Sequence, residues 1–225
     1  MVPDCHGTAL PVFFEDQNGI LPVHNVGLSL TGTIPSGQLG LHYVAEIGNG
    51  RPARSPETSR VQNRFDENNG KSFNLGVWSQ PDRFSGLQFG ASFYHDHLLP
   101  EFLPRIQEYI PAVHAVYTTP NFEWLNEAVL IRHTPDDGGR SFNTPGFYTQ
   151  VSHQWKQYRP YFRYQYVNAS PAEPVIAYAG LQHGPPFGVR YDWSYFAALK
   201  IQYDYSFRRE IPDFNQLGLQ MAFTF

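Results

Sequence analysis

The residues best placed to do chemistry are few. His95-Asp96-His97 sets two imidazoles two positions apart, and on a strand such a pair projects to one face, as two metal ligands could. No third or fourth ligand follows at a fixed spacing, and the cluster falls where a strand enters a polar loop, so no metal is expected. His114, His133, His153 and His183 are scattered and read as wall or loop residues. Nucleophilic catalysis needs a Ser or Cys with a positioned His and an orienting acid. Ser, His and Asp all occur, but no G-x-S-x-G motif gathers them, and no glycine-rich phosphate loop is present. The lone Cys5 can form neither an internal disulfide nor a cysteine zinc site. The sequence therefore points away from an enzyme, and no cofactor is implied.

A second set of polar residues has a regular spacing. Arg159, Tyr161, Arg163 and Gln165 alternate with Pro160, Phe162, Tyr164 and Tyr166. Arg190 and Asp192 alternate with Val189, Tyr191 and Trp193, and Lys200, Gln202 and Asp204 with Leu199, Ile201 and Tyr203. A strand sends successive side chains to opposite faces, so each segment has a polar face and an apolar one. The same period runs along nearly the whole chain. Leu39, Leu41, Tyr43, Ala45 and Ile47 alternate with residues that include His42 and Glu46, and Leu217, Leu219, Met221, Phe223 and Phe225 oppose Gly218, Gln220 and Thr224. Residues 122–133 are mixed: Glu127 shares a face with Leu125, Val129 and Ile131, which suggests a barrel end or a bulge.

About eleven strands result, many near the ~9–11 residues that cross a bilayer when tilted. Tight turns (35–37, 81–86, 119–121, 156–158, 194–195) alternate with longer connections (49–70, 98–108, 134–146, 169–186, 208–215). Outer-membrane barrels alternate in this way, whereas sandwiches with Greek-key crossovers need not. The predicted fold is all-β: one antiparallel up-and-down transmembrane barrel domain over residues 1–225, with eleven or twelve strands, an atypical segment at 1–13 and Thr8–Glu15 as a candidate extra strand. Intact bacterial barrels have an even strand number, so an odd count beginning on the long-loop side implies missing upstream strands. Mean hydropathy is −0.41, as for a soluble protein, but only alternate residues of a barrel need face lipid. The 14 Tyr, 18 Phe and 4 Trp suit strands and membrane interfaces. A net charge of −4 gives no electrostatic case for nucleic acid. No apolar run approaches the ~18 residues of a membrane-spanning helix, and the start lacks the basic and apolar regions of a signal peptide.

The last ten residues, QLGLQMAFTF, resemble the C-terminal strand of bacterial outer-membrane proteins, with Leu217, Leu219, Met221, Phe223 and Phe225 at the matching positions. In that family the strand is the signal read by the barrel-assembly machinery. FEDQNGILPVHNVGLSLTG, LHYVAEIGNGR, FEWLNEAVLIRH, RPYFRYQY and VRYDWSYFAALKIQYD, spanning residue 14 to the end, resemble a family of Gram-negative porin-like barrels. There the FED…GILPVH stretch is internal, so the resemblance implies a chain that starts mid-barrel. It also implies an outer-membrane location, lipid and the assembly machinery as partners, and small solutes or ions as cargo; homo-oligomerisation is left open. If the barrel closes, Glu46, Arg159, Tyr161, Arg163, Gln165, Arg190, Asp192, Lys200, Gln202 and Asp204 line its lumen. A passive diffusion channel is then the first reading. A plugged structural or adhesin-type barrel is the second, and a soluble all-β binding protein the third. On the channel reading, an Arg at Leu199 or Leu219 should impair folding more than one at Gln202.

Overall fold

The computed structural model describes residues 20–21, 26–50, 70–100, 103–209 and 212–224. Twelve strands form one antiparallel sheet: β1 (Gly27–Ile34), β2 (Leu41–Gly48), β3 (Ser72–Ser79), β4 (Leu87–Leu98), β5 (Ile106–Thr118), β6 (Phe122–Pro135), β7 (Phe142–His153), β8 (Tyr158–Asn168), β9 (Leu181–Gly184), β10 (Phe187–Ser194), β11 (Ala197–Arg208) and β12 (Phe214–Phe223). Each wall strand pairs with its neighbour in sequence, the up-and-down meander expected from the alternation, and no α-helix occurs among the described residues. All eleven predicted strands are present. The twelfth, β9, is not an additional wall strand. Gly184 lies opposite Gln165 and Phe187 opposite Phe162, so β9 and β10 run in one register along β8, and His183 and Phe187 share one register along β11. Together they are one strand broken at Pro185-Pro186, where neither residue has an N–H to give to a ladder.

Several strands reach further than the sequence pattern suggested. β4, β5, β6 and β7 are 12, 13, 14 and 12 residues long, so the loops expected at 98–108 and 134–146 shrink to 99–105 and 136–141. The loop expected at 208–215 likewise shortens to 209–213. The connection 49–71 remains long, and the one expected at 169–186 shortens to 169–180 ahead of β9; both lie at the same end of the sheet, opposite the tight turns 119–121 and 195–196. β1 pairs only with β2, and β12 only with β11, among the described residues. Thr8–Glu15, the candidate extra strand, lies outside them.

Burial is inverted relative to a water-soluble protein. The outer face leaves Leu28 77%, Leu75 56%, Val113 55% and Leu219 69% exposed. The inner face buries Asp96, Glu108, Arg163, Lys200 and Asp204. Of the eight residues expected to face outward on β8 and β10–β12 (Phe162, Tyr164, Tyr166, Val189, Leu199, Ile201, Leu219 and Met221), none is buried. Exposed aromatics collect at the tight-turn end, including Phe122, Trp124, Trp155, Tyr158, Tyr195 and Phe196. A second outward aromatic group lies toward the other end, where Phe147 stacks on Tyr166 at 5.6 Å and Tyr109 on His95 at 4.6 Å.

The mixed pattern of β6 has a different cause from a bulge or a strand end. The β5–β6 register is constant from Ile106 opposite Pro135 to Thr118 opposite Glu123; only Ile110 and Pro111 drop out of the ladder, Pro111 having no N–H to donate. Leu125, Glu127, Val129 and Ile131 all face inward. Val129 and Ile131 join Ile20, Tyr94, Ile110, Val167, Ala169, Ile176 and Ala179 in an apolar cluster on the inner face, near the long-loop end. Glu127 sits beyond this cluster and accepts a hydrogen bond from Tyr148 on β7.

Candidate functional site

The inner face divides into three zones along the strand direction. At the long-loop end, Glu108 on β5 lies directly opposite His133 on β6. His133 Nε2 is 2.7 Å from Glu108 Oε2, and His133 Nδ1 hydrogen-bonds to Glu173, which comes from the 169–180 segment. All three side chains are buried. Glu173 Oε2 also accepts the backbone N–H groups of Val175, at 2.9 Å, and Ile176, so one carboxylate both shapes the segment and ties it to the wall. Ile20 and Ile176 are buried in the apolar cluster toward the same end. A neutral imidazole has one N–H, so the trio holds a further proton, on the ring or on a carboxylate.

The middle zone is a polar network across β8, β10 and β11. Tyr161 donates to Gln202 over the intervening strand, and Gln202 Nε2 donates to both Asp204 oxygens, at 2.7 and 2.8 Å. The Lys200 ammonium lies 4.5 Å from the centre of the Tyr161 ring. Arg163, 1% exposed, and Lys200 place the Asp204 carboxylate in a cationic field. Tyr161 can cross β10 only because residue 188 is glycine: a Cβ there would lie 2.3 Å from the Ile201 carbonyl oxygen and 2.6 Å from the Tyr161 hydroxyl. Gly188→Val is therefore expected to lower stability by about 1–3 kcal/mol. Urea midpoints in lipid vesicles, with Tyr161→Phe as the variant that loses only the hydroxyl, check this.

At the tight-turn end the interior opens into a cavity of about 970 Å³. Arg159, Arg190, Asp192, Glu123, Gln154 and Trp193 are among its walls. Arg159 Nε donates to Gln154 at 2.7 Å, and Arg190 Nε to Asp192 at 2.7 Å. The β10–β11 register shifts between Asp192 and Ser194, and Trp193, at this bulge, is exposed and adjoins the cavity mouth.

The structure thus brings Tyr161, Arg163, Lys200, Gln202 and Asp204 together in a buried network and sets Arg159, Arg190 and Asp192 at an open mouth. Gln165 is half-buried on β8. Glu46 stands apart on β2, with β3–β7 between it and β8, and accepts Asn74 Nδ2 at 2.7 Å. His95 and His97 do share a face, their ring centres 4.7 Å apart. Asp96 points the other way, buried, and accepts the Tyr94 hydroxyl at 2.9 Å. On β12, Leu217, Leu219, Met221 and Phe223 are exposed on the outer face, and Phe225 lies outside the described residues. Sequence reasoning missed the Glu108–His133–Glu173 trio, whose members are 25 and 40 residues apart. The available signal was parity. Extending β5 and β6 toward the loops puts Glu108 and His133 on the face opposite Val113 and Tyr117.

No protein-family model matches the chain, and no curated protein matches it significantly.

Proposed function

We propose that this chain forms the wall of an outer-membrane β-barrel with a porin-like passage for small solutes and ions. The observation that carries the reading is the inverted burial: aliphatic and aromatic side chains cover the outside while Arg163, Lys200, Asp204 and Glu108 lie within. Water gives no reason to expose Leu28, Leu219 and their neighbours in contiguous bands, and hydrocarbon does. Aromatic groups at both ends of the strands, long connections at one end and tight turns at the other support the same placement. On this reading Leu217, Leu219, Met221 and Phe223 present the strand that the assembly machinery reads. The charged side chains at the cavity mouth would bias which ions enter, and no chemical step is implied.

A specific observation favours the plugged barrel as a second reading: the 169–180 segment folds onto the inner face, where Glu173 is buried against His133 and Ile176 joins the apolar cluster. Planar-bilayer recording on the full-length protein separates the two. The channel reading expects discrete conductance steps, with a reversal potential under a KCl gradient that shifts toward cations in an Arg159→Glu, Arg190→Glu variant. These two arginines serve better than Arg163, which is sealed from water. Stable insertion without conductance would leave the plugged barrel, and failure to insert would remove both.

A further inference from the structure

We propose that the tight-turn end of the sheet is a binding surface for the head groups of anionic phospholipids. The inference rests on the membrane reading above and adds which lipids that end selects. Its basis is two turns of like construction. The turn 80–86 joins β3 to β4 and the turn 154–157 joins β7 to β8, so both lie at the tight-turn end. Arg83 sets its guanidinium over the ring of Phe84, 5.8 Å from the ring centre. Lys156 sets its ammonium over the ring of Trp155 at 5.9 Å. Both distances are within reach of a cation–π attraction. All four side chains are exposed, Phe84 by 56% and Trp155 by 65%. Among the described residues no carboxylate forms an ion pair with Arg83 or Lys156.

A ring beside a cation suits the boundary where hydrocarbon meets head groups: the ring takes the acyl side and the charge reaches the phosphate. Arg83 can offer paired N–H donors to two phosphate oxygens, and Lys156 a point charge. Asp82 is the one acidic residue on the turns 35–40, 80–86, 119–121, 154–157 and 195–196, against these two cations. In a zwitterionic lipid the head group's own ammonium competes for the phosphate, whereas phosphatidylglycerol leaves it open. The backbone at Lys156 is a separate observation. Trp155 and Tyr158 close a two-residue hairpin loop and exchange both backbone hydrogen bonds, at 2.7 and 3.0 Å. Lys156, the first loop residue, has a φ of +55°. Glycine suits that position, because a Cβ there crowds the backbone. A lysine is thus held where its charge fits and its backbone preference does not. The net charge of −4 by itself predicts repulsion from an anionic surface. Screening confines that repulsion to about 8 Å at physiological salt, so the cations nearest the head groups decide the sign.

The test is native mass spectrometry of the full-length protein, folded in neutral detergent and titrated separately with phosphatidylglycerol, phosphatidylcholine and glycerol 3-phosphate. Phosphatidylglycerol is expected to bind about fivefold more tightly than phosphatidylcholine, the gain that one cation gives near an anionic head group. Glycerol 3-phosphate, which has no acyl chain to meet the rings, should not bind measurably. Arg83→Gln and Lys156→Gln should each weaken phosphatidylglycerol binding, and the double variant should bind both lipids alike. Lys156→Gly separates charge from folding. Glycine accepts the positive φ, so this variant should keep or raise the urea midpoint in phosphatidylcholine vesicles, yet lose as much lipid affinity as Lys156→Gln. Lys156→Arg should retain the preference, and Asp82→Asn should strengthen it. Equal binding of the two lipids by the wild-type protein overturns the site. So does a preference that survives in the double variant, or glycerol 3-phosphate bound as tightly as the lipid. Insertion into vesicles without a lipid preference keeps the membrane reading and removes the site; failure to insert removes both.

Discussion

Leu219→Arg is expected to destabilise the protein by about 2–4 kcal/mol in lipid vesicles, although Leu219 is 69% exposed. In a water-soluble protein the replacement of so exposed a leucine by arginine stays within about 0.5 kcal/mol. The two environments therefore give opposite answers at one position. Leu219 lies near the middle of β12, opposite Ile201, whose side chain is also exposed on the outer face. A guanidinium there has no interior to turn to and must drag water into hydrocarbon or shift the strand. Gln216→Arg on the same strand is the matched control. Gln216 faces inward, is exposed, and lies opposite Asp204, so its arginine should change stability by less than about 1 kcal/mol. Gln202, the comparison that parity alone suggests, is fully buried and tied to Tyr161 and Asp204, so an arginine there would report overpacking. Urea titrations in phosphatidylcholine vesicles, followed by tryptophan fluorescence, measure the difference. Equal midpoints for the two arginine variants would take the outer face out of the membrane, and the proposed function with it.

His133→Ala is expected to release the 169–180 segment from the wall. The substitution leaves Glu108 and Glu173 facing a space that their shared partner filled, and stranding a buried charge in this way costs about 3–5 kcal/mol. The strain need not unfold the sheet. The segment that carries Glu173 and Ile176 is held by this trio and by the apolar cluster, while β5 and β6 keep their ladder. Local opening is the cheaper escape. Hydrogen exchange of the Val175 and Ile176 amides, which donate to Glu173, should be about 100-fold faster than in the parent when closing is rapid compared with exchange. His133→Gln, which keeps one donor, should fall between. On the channel reading the released segment also raises conductance, since it withdraws Glu173 and Ile176 from the long-loop end. An unchanged exchange rate in a folded variant would show that the apolar cluster alone holds the segment.

Period-two alternation settles which residues share a face, and that much is local: a strand alternates its side chains whatever surrounds it. From it the sequence determined the all-β class, eleven wall strands, their meander and the apolar outer face from Leu28 to Met221. Tight turns such as 119–121 set the hairpin pairing, because a short connection leaves an antiparallel neighbour as the only partner within reach. The register shift between Asp192 and Ser194 leaves no mark in that period, since one bulged residue alters pairing without changing the sequence pattern. It also left β6 unexplained, because an inner face may be polar or apolar, and only the packing of Ile20 and Ile176 against Val129 and Ile131 shows why this one is both. Tertiary structure alone decided register and what lies across the interior. The placing of Arg159 opposite Arg190, and of Arg190 opposite Lys200, depends on how three strands slide past one another, and the Glu108–His133–Glu173 trio on a loop folding inward over 40 residues of intervening chain. Spacing puts these side chains on the inner face but does not bring them together, since contacts between distant segments are set by the sum of many weak packing terms, with no short-range rule to record them.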